Sequence, residues 1–114
     1  MLRFLCLIAV LMHPLPPPLI CIEEPELGLH PDAVGFLADA LRSASTRSQV
    51  VVTTHSETLV SALSDEPESV VVCERSDDGD TQFRRLQAAQ LEKWLAQYRL
   101  GELWRMGEIS GNRW

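Results

Sequence analysis

The segment Leu19-Ile20-Cys21-Ile22-Glu23-Glu24-Pro25-Glu26-Leu27-Gly28-Leu29-His30-Pro31 decides how this chain reads. Four apolar residues suited to a buried strand lead straight into two adjacent carboxylates, and Pro25 then turns the chain out of the sheet. Acids are thereby placed at the carboxyl end of a strand, where open α/β sheets bind ligands. In that position they can meet Mg²⁺ and the water that attacks a nucleotide phosphate. A Gly-rich phosphate loop of the form G-x-x-x-x-G-K-S/T occurs nowhere in the 114 residues.

Working outward, residues 2–12 read as a buried helix with Leu2, Leu5, Ile8 or Ala9 and Met12 at helical spacing. The prolines between positions 14 and 18 end it and force an extended connection. Residues 19–22, apolar on both faces, then read as a central strand of a parallel sheet. On the other side, Pro31 at a first helical position and Asp32 in the first turn start a helix that runs to about Ala44. Its apolar stripe is Val34, Leu37, Leu41 and Ala44, with Arg42 near the negative end. Residues 49–53 form a second buried strand, so strand, helix and strand make a βαβ unit with a right-handed crossover.

Ser56 is an N-cap for a short helix through Leu63. A third strand is expected over 69–73, hairpin-turn chemistry at Asp77-Asp78-Gly79-Asp80, and an antiparallel return strand over 81–86. Residues 87–98 place Leu91, Trp94, Leu95 and Tyr98 on one helical face, ending near Gly101. The tail from Leu100 to Trp114, with glycines and two tryptophans, reads as a segment that is loose or docks on a partner. The fold class is therefore α/β: a parallel sheet flanked by helices, with a C-terminal β-hairpin and helix.

A chain of 114 residues with 46% hydrophobic content suits one domain, or a piece of one, with a modest packed core. The net charge of -6 excludes a generally basic nucleic-acid-binding domain. Nucleic-acid contact would have to come from a local Arg cluster or from regions outside this chain. Cys6, Cys21 and Cys73 lie in apolar runs without a C-x-x-C pair, which reads as buried, reduced thiols in a cytoplasmic protein. His13, His30 and His55 are too scattered to build a zinc site with them. The apolar start of the chain is shorter than the roughly 20 residues a membrane-spanning helix needs. No small-x-small cleavage site follows it, so neither a membrane nor secretion is expected.

The candidate chemistry gathers at two strand ends that would be neighbours. Glu23 and Glu24 leave one strand, and Thr53, Thr54 and His55 leave the next, all at one carboxyl edge. Splitting a phosphoanhydride calls for a carboxylate near the metal, a second to take a proton from water, and a hydrogen-bonding group toward the γ-phosphate. Glu23, Glu24 and His55 are of those chemical types.

The order Ile22-Glu23-Glu24-Pro25-Glu26, Leu29-His30-Pro31 and Thr53-Thr54-His55-Ser56 resembles the second half of an ABC-type ATPase head. More narrowly, it is similar to the soluble AAA-like ATPases related to the OLD, RecF and structural-maintenance-of-chromosomes (SMC) groups. Leu2-Arg3-Phe4-Leu5 looks like the helix that follows the signature loop in that group. The resemblance implies an incomplete P-loop NTPase-like fold: residues 1–86 as the C-terminal half of an ABC-like ATPase domain, and 87–114 as a C-terminal helix and tail.

It further implies ATP and Mg²⁺ as cofactors. Glu23 would be the Walker B acid assisting the metal, Glu24 the catalytic glutamate and His55 the switch histidine, so that Glu23, Glu24 and His55 all bear on the bound nucleotide. Residues 25–30 would be the D-loop that meets a second ATPase head. Two positions depart from the commonest pattern: Glu23 stands where Asp is usual, and His30 where many transporters have an aspartate. The complete protein is expected to bind and hydrolyse ATP, and the isolated chain to be inactive for want of the phosphate loop. The alternative is a catalytically inactive interaction module that retains the fold and pairs with a separate ATPase subunit.

Overall fold

The computed structural model describes residues 2–109, and the chain divides into two compact units between Leu59 and Val60. The first unit is built from α1 (Leu2–Leu11), β1 (Leu19–Glu23), α2 (Pro31–Ser45), β2 (Gln49–Thr53) and the start of α3 (Glu57–Ser61). β1 and β2 pair in parallel, from Leu19 opposite Gln49 to Glu23 opposite Thr53. The architecture is the expected α/β one, a small parallel sheet with helices against it.

α2 forms where its end signals stand. The His30 imidazole Nδ1 accepts the Asp32 N–H at 3.2 Å, Pro31 supplies a pre-set φ, and Asp32 faces the positive helix end. The stripe expected of it is inside: Val34, Leu37 and Ala44 are buried, and Leu41 packs beside them. Leu37 and Ala44 join Leu11 and Ile20 in one core, edged by Phe4, Ile22, Leu29 and Val50. Phe4 meets Phe36 edge-on, with ring centroids 6.1 Å apart.

Three expectations about what is inside need correction, for one shared reason. α1 buries Leu11 and leans on Phe4, while Leu2, Leu5 and Met12 of the expected stripe are 76%, 57% and 65% exposed. Both strands alternate, with Ile20 inward and Leu19 and Val51 half exposed on the opposite face. Cys6, Cys21 and Cys73 are all exposed free thiols rather than buried ones. A helix that is apolar all round, or a strand apolar on both faces, carries no periodic signal to say which side is covered. The described elements cover one side only. β1 and β2 also have no further strand beside them among the described residues.

The second unit contains the rest of α3, a 3₁₀ turn (Pro67–Ser69), β3 (Val71–Arg75), β4 (Thr81–Arg85), α4 (Ala88–Leu95) and α5 (Leu100–Met106). β3 and β4 form the expected hairpin, Val71 opposite Arg85 and Arg75 opposite Thr81. Gly79 supplies the positive φ of 89° that closes its turn. Val60, Leu86, Leu91, Leu100, Leu103 and Ile109 make this unit's core.

Where the sequence suggested a tail from Leu100, α5 forms instead. Leu100 and Leu103 are fully buried, and the free N–H groups at the start of the helix are met from elsewhere. The Ser64 hydroxyl accepts from Leu100 N–H and the Ser61 hydroxyl from Gly101 N–H, each at 2.9 Å. Gly107, at φ 84°, ends the helix. Residues 110–114, including Trp114, lie outside the described residues.

Candidate functional site

The site is the carboxyl edge of the β1–β2 pair. Glu23 ends β1 opposite Thr53, and the Glu24 N–H donates to Thr53 O at 2.8 Å, carrying the ladder one residue past the strand. There the backbone reverses. Glu24 has φ 44°, the single positive value at a non-glycine among the described residues. This left-handed conformation costs an L-residue about 1–2 kcal/mol, and such residues concentrate at functional sites.

Pro25 is fully buried after it, and the turn closes through Leu27 N–H to Glu24 O at 3.2 Å and Leu29 N–H to Glu26 O at 3.0 Å. Gly28 sits in this turn at φ 79°, with open space where a Cβ would project. Gly28→Ala should therefore cost about 1–2 kcal/mol from the backbone alone, read as a lowered midpoint in urea unfolding.

His55 follows β2 and faces the same edge. Its Nε2 lies 3.9 Å from Glu24 Oε1, near but beyond hydrogen-bonding distance. The imidazole side chain is 70% exposed and the Glu24 side chain 29%, so Glu24 is the more sheltered of the two. Thr54 and Ser56 hold the loop on either side of His55. The Thr54 hydroxyl donates to Glu26 Oε1 and accepts the Ser56 N–H at 2.9 Å, while Ser56 Oγ accepts the Leu59 N–H at 3.1 Å as the cap of α3. Glu26 Oε2 is buried without a hydrogen-bond partner.

Glu23 is exposed and lines a shallow depression with Cys21, Ile22, Val51 and Thr53. No group of three or more His, Cys, Asp or Glu side chains among the described residues is placed to hold a metal ion. Mg²⁺ commonly takes only one or two protein carboxylates, keeping waters and substrate phosphates for the rest. A lone carboxylate oxygen donor at a strand end fits that habit, whereas a cage of protein ligands would not be expected.

Glu24 and His55 are thus brought together, with Glu23 one residue away at the strand end. Sequence reading gave Arg3 and Glu26 places in their segments but no individual role at the site. Arg3 donates from Nη2 to Glu23 O and Glu24 O, both at 3.1 Å, and from Nη1 to Leu27 O at 3.3 Å. The signal for Arg3 was its isolation as the one charged residue of α1. For Glu26 it was a carboxylate flanked by apolar residues, Pro25 and Leu27.

Comparison with known proteins agrees with this architecture. The family described as "AAA domain, putative AbiEii toxin, Type IV TA system" matches residues 1–61, more than half of the chain and nearly coextensive with the first unit. A solved chain from work on "ATP-driven dimerization and DNA stimulated activation of SMC ATPases" superposes with a TM-score of 0.54 at 21% identity. The superposition covers 72% of this chain and 48% of that one, so this chain spans about half the length of the solved relative. No functionally curated protein matches the sequence significantly. No helix among the described residues is long and apolar enough to cross a membrane. The chain belongs to this AAA-domain family, and its fold is similar to part of the solved SMC ATPase chain.

Proposed function

We propose that this chain supplies one half of an ATP-hydrolysing centre, the half that handles metal and water. The observation that carries the reading is the pairing of Glu24 with His55 across the carboxyl edge of two parallel strands, 3.9 Å apart. Glu24, partly sheltered, is the base that takes a proton from the attacking water. His55, more exposed, would donate a hydrogen bond toward the γ-phosphate, and Glu23 would be the residue that helps hold the metal. Bound Mg²⁺ would neutralise charge on the phosphate oxygens. The grip on the nucleotide belongs to a Gly-rich loop that this sequence lacks.

The partners that follow are ATP and a second ATPase head met through residues 25–30. The solved relative's ATP-driven dimerization favours that second head, and its DNA stimulation suggests where to look for a client. Any nucleic-acid contact is assigned to regions beyond this acidic chain. A catalytically inactive interaction module is the second reading. It is favoured by the half-exposed apolar sheet face at Leu19 and Val51, which suits a partner surface.

Calorimetry on the 114-residue chain should show weak or no binding of Mg-ATP, and tight binding would overturn the two-halves reading. Joined to a segment bearing G-x-x-x-x-G-K-S/T and a signature loop, the chain should support ATP turnover. Assembly without turnover would favour the interaction module.

A further inference from the structure

We infer that Arg3 is the positioning residue that keeps Glu24 in its left-handed conformation and so sets its carboxylate beside His55. The functional consequence rests on the reading of Glu24 as the water-handling acid, but the backbone role can be tested without it. Rotation about φ of Glu24 swings the peptide that carries Glu23 O, and rotation about ψ swings the one that carries Glu24 O. One Arg3 nitrogen, Nη2, is bonded to both of these carbonyls at 3.1 Å. It therefore ties together the two peptide planes on either side of the Glu24 Cα. The other nitrogen, Nη1, takes Leu27 O at 3.3 Å, on the residue whose N–H closes the turn back onto Glu24 O.

A residue held in an unfavourable backbone basin stays there only when its surroundings over-determine it. Here the constraints are the Thr53 carbonyl on the Glu24 N–H, the Leu27 N–H on Glu24 O, the buried Pro25 ring, and the Arg3 fork. Arg3 is the one that reaches both planes from outside the turn. A planar fork with two terminal nitrogens suits this arrangement, and a Lys ammonium would serve fewer of the three acceptors. The clamp also explains a cation on a helix whose other nine residues are uncharged.

The test is NMR on the full chain. A strong intraresidue HN–Hα NOE, together with the Cβ shift of Glu24, reports the sign of φ, and an NOE between the His55 ring and the Glu24 side chain reports their proximity. Arg3→Ala should move Glu24 out of the left-handed basin and remove that NOE, while the shifts of residues 4–11 stay helical. Arg3→Lys should give an intermediate result. Glu24 remaining left-handed in folded Arg3→Ala overturns the inference.

Should Arg3→Ala fail to fold, Arg3→Ala combined with Glu24→Gly decides the matter, because glycine takes positive φ without a clamp. Its urea midpoint should lie close to that of Glu24→Gly alone. A loss on removing Arg3 from the Glu24→Gly background as large as that from the native one overturns the clamp. If Glu24→Gln leaves turnover intact in an assembled ATPase while Arg3→Ala still releases the backbone, the catalytic reading falls and the clamp stands.

Discussion

In an ATPase assembled around this chain, Glu24→Gln should lower turnover by about 10²–10⁴-fold, the range expected for losing a positioned general base. The amide keeps the side chain's size, and it retains a carbonyl oxygen within reach of His55. What it cannot do is take a proton from water near neutral pH. Nucleotide binding should survive, since the grip on the phosphates is assigned to a loop outside this chain. Single-turnover hydrolysis alongside equilibrium binding of Mg-ATP separates the two quantities, and unchanged turnover removes Glu24 from the chemistry.

The largest stability effect should come from Leu37→Ala. Leu37 is fully buried among Leu11, Ile20 and Ala44, where the apolar faces of α1, β1 and α2 meet. Truncating a buried leucine costs about 2–5 kcal/mol when its surroundings cannot collapse into the void. Against the roughly 5–15 kcal/mol that ordinarily stabilises a domain, such a loss is a large share. Hydrogen exchange should show residues 19–23 and 49–53 losing protection in the variant. Retained protection at native levels would mean that this core contributes less than its burial implies.

The first unit was largely legible because its signals are local. An apolar run meeting Glu23-Glu24-Pro25 marks the end of β1, and His30-Pro31-Asp32 marks the start of α2. The spacing of Val34, Leu37 and Ala44 identifies the helix face that the core takes up. The pairing of the two strands then brings residues 24 and 55 to one edge, so candidates distant in sequence could be placed together from the strand pattern alone.

What was illegible depends on contacts between segments. The helix at Leu100–Met106 relies on hydroxyls from Ser61 and Ser64 and on burial of Leu100 and Leu103, none of which is visible within the segment itself. The left-handed turn at Glu24 could not be read from a residue type that normally avoids it. Its Arg3 clamp depends on a guanidinium from another helix. The exposed cysteines show the same limit from the opposite side: an apolar neighbourhood in sequence does not say which face of a strand or helix has a neighbour in space.

β1 and β2 each leave one backbone edge without a strand partner among the described residues, and both edges run through uncharged stretches, Leu19 to Ile22 and Val50 to Val52. Short uncharged strands rich in branched side chains stack readily with copies of themselves when nothing blocks their edges. No proline or lysine interrupts either stretch. For a ribosome producing this polypeptide, concentration and timing become decisive. A complementary segment that covers the open edges should compete with self-pairing between identical chains.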